Sequence, residues 1–320
     1  MERALVTGGA GFIGSNIVEA LLKKGVKVYA LDDFRLGEYG YLNDLSRKYG
    51  DLLTIVKGDV RDAKLIDELV SKVDVVFHQA AVSSTTMFYE DPREGIEVNL
   101  NGFLNILQSA RKHNIKRIVY ASTSSIYVAV EPPHREDAIV TPKTFYEYTF
   151  WMREHAARIY YDFYGVESIG LRYFSIYGPR EQHKKKYANI VTQFLWGMLE
   201  SKPPVIFGDG SQTRDFTFVH DVVRANLLAA EIEDVGADVF NVGTGRNITF
   251  NKVVEVLNEK LGTNIEPIYK ENPIKNYVYH TKADTTKAEK ILGFKAEISF
   301  EEGVERIIEY YKDPKNRPKM

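Results

Sequence analysis

The chain has 320 residues, 42 basic against 44 acidic side chains, a formal net charge of −2, 44% hydrophobic residues and no cysteine. Balanced charge excludes bulk attraction to nucleic acid or membrane, and the missing thiols exclude disulfides, thiolate metal sites and cysteine nucleophiles. No signal-like pattern or membrane-length apolar run is present, so we expect a soluble, cytoplasmic protein, long enough for one large α/β domain and a smaller lobe.

Ala4-Leu5-Val6 leads into Thr7-Gly8-Gly9-Ala10-Gly11-Phe12-Ile13-Gly14, and an amphipathic segment begins at Phe12. This reads as a strand, a glycine turn and a helix start. Backbone approaches a pyrophosphate closely only where side chains are absent, and a helix N-terminus offers free N–H groups to the anion. Gly8, Gly11 and Gly14 meet these conditions in a G-x-x-G-x-x-G variant of the dinucleotide fingerprint, with Phe12 and Ile13 in the same turn; an ordinary tight turn is the competing reading. A second strand, Val26–Leu31, ends at Asp32-Asp33, 24 residues after Gly8. A carboxylate there accepts hydrogen bonds from the adenosine ribose and repels a 2′-phosphate, which predicts NAD rather than NADP. Arg35 is close enough to bear on that choice, and a solvated loop acid is the plainer alternative for Asp32.

Leu52–Lys57 and Val73–His78 are the third and fourth strands. Asp59, in Gly58-Asp59-Val60-Arg61-Asp62, either reaches the adenine amino group or caps the next helix. Gln79-Ala80-Ala81 again lets backbone near a ligand, and His78 reads as a core or loop histidine. A helix is expected over Pro92–His113, a fifth strand over Arg117–Ala121, a helix over Tyr146–Tyr164 and a sixth strand over Val166–Leu171. This alternation predicts a Rossmann-type, doubly wound parallel sheet. We place the cofactor domain at residues 1–172 and a smaller α/β substrate-binding lobe at 173–320, with strands near 239–242 returning to the main sheet. A helix candidate covers Asn189–Glu200, and the polar tail from Asp313 to Met320 is expected to fray.

Ser122-Thr123-Ser124-Ser125 follows the fifth strand, whose carboxyl end faces the ligand crevice, so these hydroxyls either meet a substrate or satisfy their own turn. Tyr146 opens the next helix. A tyrosine, with a pKa normally about 10, acts as a base at neutral pH only beside positive charge. The histidine spacings predict no metal site, and no G-x-S-x-G elbow is present.

Together with Leu171-Arg172-Tyr173-Phe174, Tyr177-Gly178-Pro179-Arg180, Gly208–Val219 and Ala283-Asp284, these motifs run in order over nearly the whole chain. The chain resembles the extended short-chain dehydrogenase/reductase family, and within it the NAD-dependent nucleotide-sugar epimerases and dehydratases, closest to the UDP-glucose 4-epimerase type. The resemblance implies that Gly8, Gly11, Phe12, Ile13, Gly14, Asp32 and Asp33 bind NAD, with Asp59, Val60, Ala80 and Ala81 along the adenine and pyrophosphate. It implies Thr123 and Tyr146 as the catalytic pair, with Tyr146 also against the cofactor and Ser124 beside them. Asn189 and Arg214 match positions that hold the nucleotide diphosphate, Ser175 stands where the family usually has asparagine, and Phe207 and Tyr277 fall at substrate-side positions. A surface ion pair with Asp215 is the alternative for Arg214. The resemblance also implies a homodimer through a four-helix bundle of about Pro92–His113 and Tyr146–Tyr164, to which the aromatic cluster Phe150, Trp151, Tyr160, Tyr161, Phe163 and Tyr164 is suited.

One departure stands out. The family pattern is Y-x-x-x-K, but here Tyr146 is followed at the fourth position by Phe150. The lysine would have bound the nicotinamide ribose and lowered the tyrosine pKa, each unit of which is about 1.4 kcal/mol. Lys143 is the nearest substitute in sequence, and Val128 replaces the usual glycine after Tyr127. The preferred reading is a UDP-glucose/UDP-galactose 4-epimerase acting by transient oxidation at C4. A 4,6-dehydratase is disfavoured because Ser124-Ser125 replaces the Asp-Glu of that type. An ADP-heptose 6-epimerase is suggested by Pro179-Arg180-Glu181, His183 and Lys275-Asn276-Tyr277. Phe150 motivates a reading of another class, a binding protein that has lost turnover.

Overall fold

A computed structural model of the chain describes residues 1–272 and 277–318. The first half alternates strands and helices: β1 (Arg3–Thr7), α1 (Phe12–Lys23), β2 (Lys27–Asp32), α2 (Tyr39–Tyr49), β3 (Leu53–Lys57), α3 (Ala63–Val70) and β4 (Val75–His78). Then come α4 (Thr85–Glu90), α5 (Pro92–Ile96), α6 (Gly102–His113), β5 (Arg117–Thr123), α7 (Phe145–Tyr164) and β6 (Ser168–Tyr173). The single helix expected over Pro92–His113 is instead α5 and α6 joined by one π turn, Glu97–Asn101. Capping residues explain several ends. Asp62, not Asp59, accepts from Lys64 N and Leu65 N to start α3. Thr144 and Glu147 form a reciprocal capping box at α7, and Gly165 ends that helix in the left-handed region at φ 67°.

Beyond Arg172 the chain forms β7 (Ile176–Tyr177), α8 (Ile190–Met198), β8 (Val205–Phe207), β9 (Thr213–Arg214), β10 (Thr217–Phe218) and α9 (Val219–Glu231). It continues through β11 (Ala237–Val242), β12 (Ile248–Thr249), α10 (Phe250–Leu261), β13 (Ile268–Lys270) and α11 (Phe300–Lys312). The tail through residue 318 is tied down rather than frayed: Asn316 Nδ2 donates to Tyr310 O and Arg317 Nε to Tyr311 O, satisfying carbonyls at the end of α11. Met320 lies outside the described residues.

The main sheet has the order β11-β6-β5-β4-β1-β2-β3, every pairing parallel. β5 and β6 are buried along their whole length because helices cover both faces, their polar residues Arg117, Ser122, Thr123, Ser168 and Arg172 included. One apolar core, with Ile17, Leu21, Val28 and Phe240, lies on one side of the sheet; a second, with Ile106, Phe103 and Val76, lies on the other. Each fully buried aliphatic or phenylalanine side chain contributes about 1.5–3 kcal/mol. A third core, around Phe194, Phe218 and Val304, holds the second half. Strand order reverses between β1 and β4, whose carboxyl ends are in register at Thr7 and His78, and this reversal opens the ligand crevice. None of the described helices is long and apolar enough to cross a membrane.

Candidate active site

The glycine turn fills that crevice. Gly8 has φ +67°, and a Cβ on it would sit 2.8 Å from Ala80 N; a Cβ on Gly14 would sit 2.0 Å from Gly8 O. These two positions exclude any side chain, the first on conformation and contact, the second on contact alone. Gly11 precedes α1 with no side chain capping it, so the helix start faces the cleft with backbone groups only. Asp32 is buried, accepting from Ala10 N at 3.0 Å and Phe34 N at 2.8 Å. Burial raises its pKa above the usual carboxylate range, and those backbone donors oppose the rise.

One cleft, enclosing about 960 Å³ with its open mouth, is lined by Gly8, Gly11, Phe12, Ile13, Gly14, Asp32, Asp33, Asp59, Val60, Ala80 and Ala81. It thus brings together every residue assigned above to the cofactor except Tyr146. Arg35 also lines it, but its guanidinium is held by Glu94 at 2.7 Å. Asp59 is paired with Arg61 at 2.6 Å, which holds its carboxyl below the usual range. His183 and Lys184 close one side from the second half of the chain, a contribution that their sequence setting did not suggest.

Thr123 ends β5, next to β4, and Tyr146 Oη donates to Thr123 Oγ1 at 3.3 Å. Ser124 opens the short turn after the strand, and Thr123 Oγ1 also accepts from Ser125 N at 3.2 Å. Tyr146 is buried, and desolvation pushes its phenol up, opposed by Thr123, Arg153 and Ser125. His78 is wholly buried, bonded through Nδ1 to Thr7 Oγ1 at 2.8 Å and held neutral by desolvation, so it is part of the core. Phe150 is also buried, edge-on to Tyr146 with ring centroids 5.1 Å apart. Lys143 is exposed, and only its backbone N reaches this region, donating to Glu147. Val128 has ordinary right-handed backbone (φ −48°, ψ −28°), so its replacement of glycine strains nothing. Sequence reading missed Arg153, the signal for which was its place two turns after Tyr146 on one helix face.

On the substrate side, Arg214 donates to Thr213 O and Tyr279 O and lies 5.2 Å from the Tyr277 ring and 5.6 Å from Phe250. No ion pair joins it to Asp215 among the described residues. Asp215 is buried instead, accepting from Thr244 N, Gly245 N and Ala283 N, which ties two loops beneath Arg214. Asn189 caps α8 through Val191 N and donates to Ile176 O, so its side chain supports the helix start. Ser175 has φ 37°, a left-handed conformation that asparagine adopts readily, which explains the family's usual residue there. Phe207 is exposed at the end of β8. Lys275 and Asn276 lie outside the described residues.

The model of the NAD dependent epimerase/dehydratase family matches residues 4–243. The chain belongs to that family. A putative UDP-glucose 4-epimerase of Methanocaldococcus jannaschii is 36% identical over 97% of this chain and 98% of its own length. The structure of a UDP-glucose 4-epimerase with UDP-glucose from Thermotoga maritima superposes with a TM-score of 0.90 at 33% identity, covering 98% of this chain and 99% of that one. A UDP-glucuronic acid 4-epimerase from Bacillus cereus, in complex with UDP-glucuronic acid and NAD, gives 0.88 at 27% identity with the same coverage.

This family member is an NAD-dependent nucleotide-sugar epimerase. Its cleft fits the cofactor on the structure's own terms, because the space that Cβ atoms would fill at Gly8 and Gly14 is where backbone must come close. The turn from Gly8 to Gly14 would hold the pyrophosphate at the start of α1, and Asp32 the adenosine ribose. NAD supplies an acceptor and returner of hydride.

Proposed function

We propose that this epimerase interconverts UDP-glucose and UDP-galactose. The observation that carries the reading is the Tyr146–Thr123 hydroxyl pair at the carboxyl end of β5, followed by Ser124 and Ser125. Tyr146 Oη, as phenolate, takes the proton of the sugar 4-hydroxyl while Thr123 orients that hydroxyl. The C4 hydrogen leaves as hydride, the 4-keto sugar turns over, and hydride returns to its other face. Tyr146 then gives the proton back to the C4 oxygen. Elimination of water would need an acid at 124 or 125, and serine supplies none. Arg214 and Tyr277, with Asn189 at the start of α8, would hold the nucleotide diphosphate, and Phe207 the edge of the nucleotide site.

Incubation of the chain with UDP-glucose and NAD, followed by chromatography, tests this. Conversion to UDP-galactose without accumulating NADH is expected. Turnover of UDP-glucuronic acid alone would move the assignment to that sugar, and stoichiometric NADH would overturn epimerisation. We further propose a homodimer through α6 and α7, supported by the exposed Phe145, Tyr148, Ile159 and Phe163 on α7; a monomer in light scattering would refute it.

A further inference from the structure

Phe150 removes the cation expected one turn after Tyr146, yet a cation is present two turns after it. Arg153 is wholly buried. Its Nε donates to Asn99 O at 2.6 Å, Nη2 to Ala80 O at 3.0 Å and Nη1 to Ala121 O at 3.5 Å. All three acceptors are neutral carbonyls, and among the described residues no carboxylate pairs with it. Glu154, its neighbour, is committed to Arg172 at 2.6 Å, and the Glu147 carboxylate to the backbone at the start of α7. A buried cation with no counter-charge costs several kcal/mol, and such groups cluster at functional sites.

The acceptors say which site. Ala80 lines the cofactor cleft, Ala121 lies two residues before Thr123 on β5, and Asn99 sits in the π turn. Arg153 therefore lies behind the wall shared by the cofactor cleft and the Tyr146–Thr123 pair. Phe150 packs against both the phenol and the guanidinium. Its ring centroid is 5.1 Å from that of Tyr146 and 4.9 Å from the Arg153 guanidinium carbon. A ring there excludes water, and a charge acts over longer range where water is excluded.

We propose that Arg153 is the fixed positive charge of this active site, a positioning residue acting across Phe150 to favour the Tyr146 phenolate. Burial lowers the Arg153 pKa without neutralising the guanidinium, which stays protonated at neutral pH. The other titratable groups facing the pair do not compete. Burial holds Tyr120, on β5, well up and His78, on β4, neutral. Glu147, on α7 itself, is the one group that pushes Tyr146 the other way, besides desolvation. Arg153 also staples three carbonyls together, a role independent of its charge. The assignment rests on Tyr146 being the base, as proposed above, and not on the identity of the sugar.

The experiment titrates the Tyr146 phenolate by near-ultraviolet difference spectroscopy in the full chain with NAD, subtracting Tyr146→Phe to isolate the one tyrosine. Arg153→Met is expected to raise the Tyr146 midpoint by about 1–2 units, as loss of a nearby opposite charge does. Arg153→Gln, which keeps donors for the carbonyls without the charge, should raise it by a similar amount. An unmoved midpoint in folded Arg153→Met overturns the proposal and leaves a staple. If Arg153→Met does not fold, Arg153→Gln alone decides: a raised midpoint is expected, and an unmoved one overturns the proposal. Absence of any Tyr146 transition would overturn the base reading itself, and this assignment with it.

Discussion

The two sides of the proposed active site are built from opposite materials. On the cofactor side the decisive atoms are backbone: a turn from Gly8 to Gly14 that packs against Ala80 and Ala30 and leaves no room for a Cβ at Gly8, Gly9 or Gly14. On the side proposed for the sugar nucleotide the groups are side chains, Arg214 and Tyr277 beside a two-residue strand, next to a buried Asp215 that gathers loop N–H groups. A backbone cradle accepts any partner with the right phosphate geometry and fails as a unit. A side-chain site is adjusted one group at a time, which is why cofactor and family follow from this chain more directly than the sugar does.

Gly14→Ala is the sharpest way to break the first side. Its Cβ would lie 2.0 Å from a carbonyl oxygen, so the turn must move. We expect a loss of at least about 3 kcal/mol, of the size that strain at a packed backbone site produces, and loss of bound NAD, read by thermal unfolding and cofactor content. A variant that keeps both would show that the turn is looser than its geometry says. Tyr146→Phe, between the two sides, should cut turnover roughly 10²- to 10⁴-fold while NAD content is unchanged. On the second side Arg214→Ala should raise KM for the nucleotide sugar about 10- to 100-fold with little change in kcat. Charged hydrogen bonds are worth about 1.5–3 kcal/mol, and binding shared by ground and transition states appears in KM alone.

The same contrast governs what could be read before the structure. Gly8 to Gly14, the strand ending at Asp32 and the small residues after β4 are local patterns, and they meet in one cleft because a parallel sheet brings its carboxyl ends together. Arg153 was legible only as a cation two turns after Tyr146, because its burial depends on three carbonyls from three elements on which its sequence neighbourhood does not bear. The π turn at Glu97–Asn101 has no residue signature of its own, so one helix was expected where two meet. Asp59 and Asp62 are equally good caps by type, and only the backbone path chose Asp62. The tail looked free because its anchors, Asn316 and Arg317, are polar and bond carbonyls rather than a core.

The smallest effect concerns how the two sides are held together. Glu19, on α1, pairs with Arg180 from beyond β6, accepts from Tyr41 Oη at 2.8 Å and meets Lys23 at 2.8 Å. Arg180 also lies 3.6 Å from the Tyr41 ring centroid. Burial raises the Glu19 pKa, but Lys23, Arg180 and Tyr41 outweigh it and hold the carboxyl down at about 2. A lowered carboxyl pKa stabilises the fold above the unfolded value near 4.5, and that contribution is lost as pH falls from there towards 2. The full shift would amount to over 3 kcal/mol, which partial exposure reduces to about 1–2 kcal/mol. Urea unfolding of the parent and Glu19→Gln should therefore differ by that amount at pH 7, and the difference should shrink steadily below pH 4.5. A constant difference across that range would mean that the clasp works through packing of Arg180 on Tyr41 rather than through the charge on Glu19.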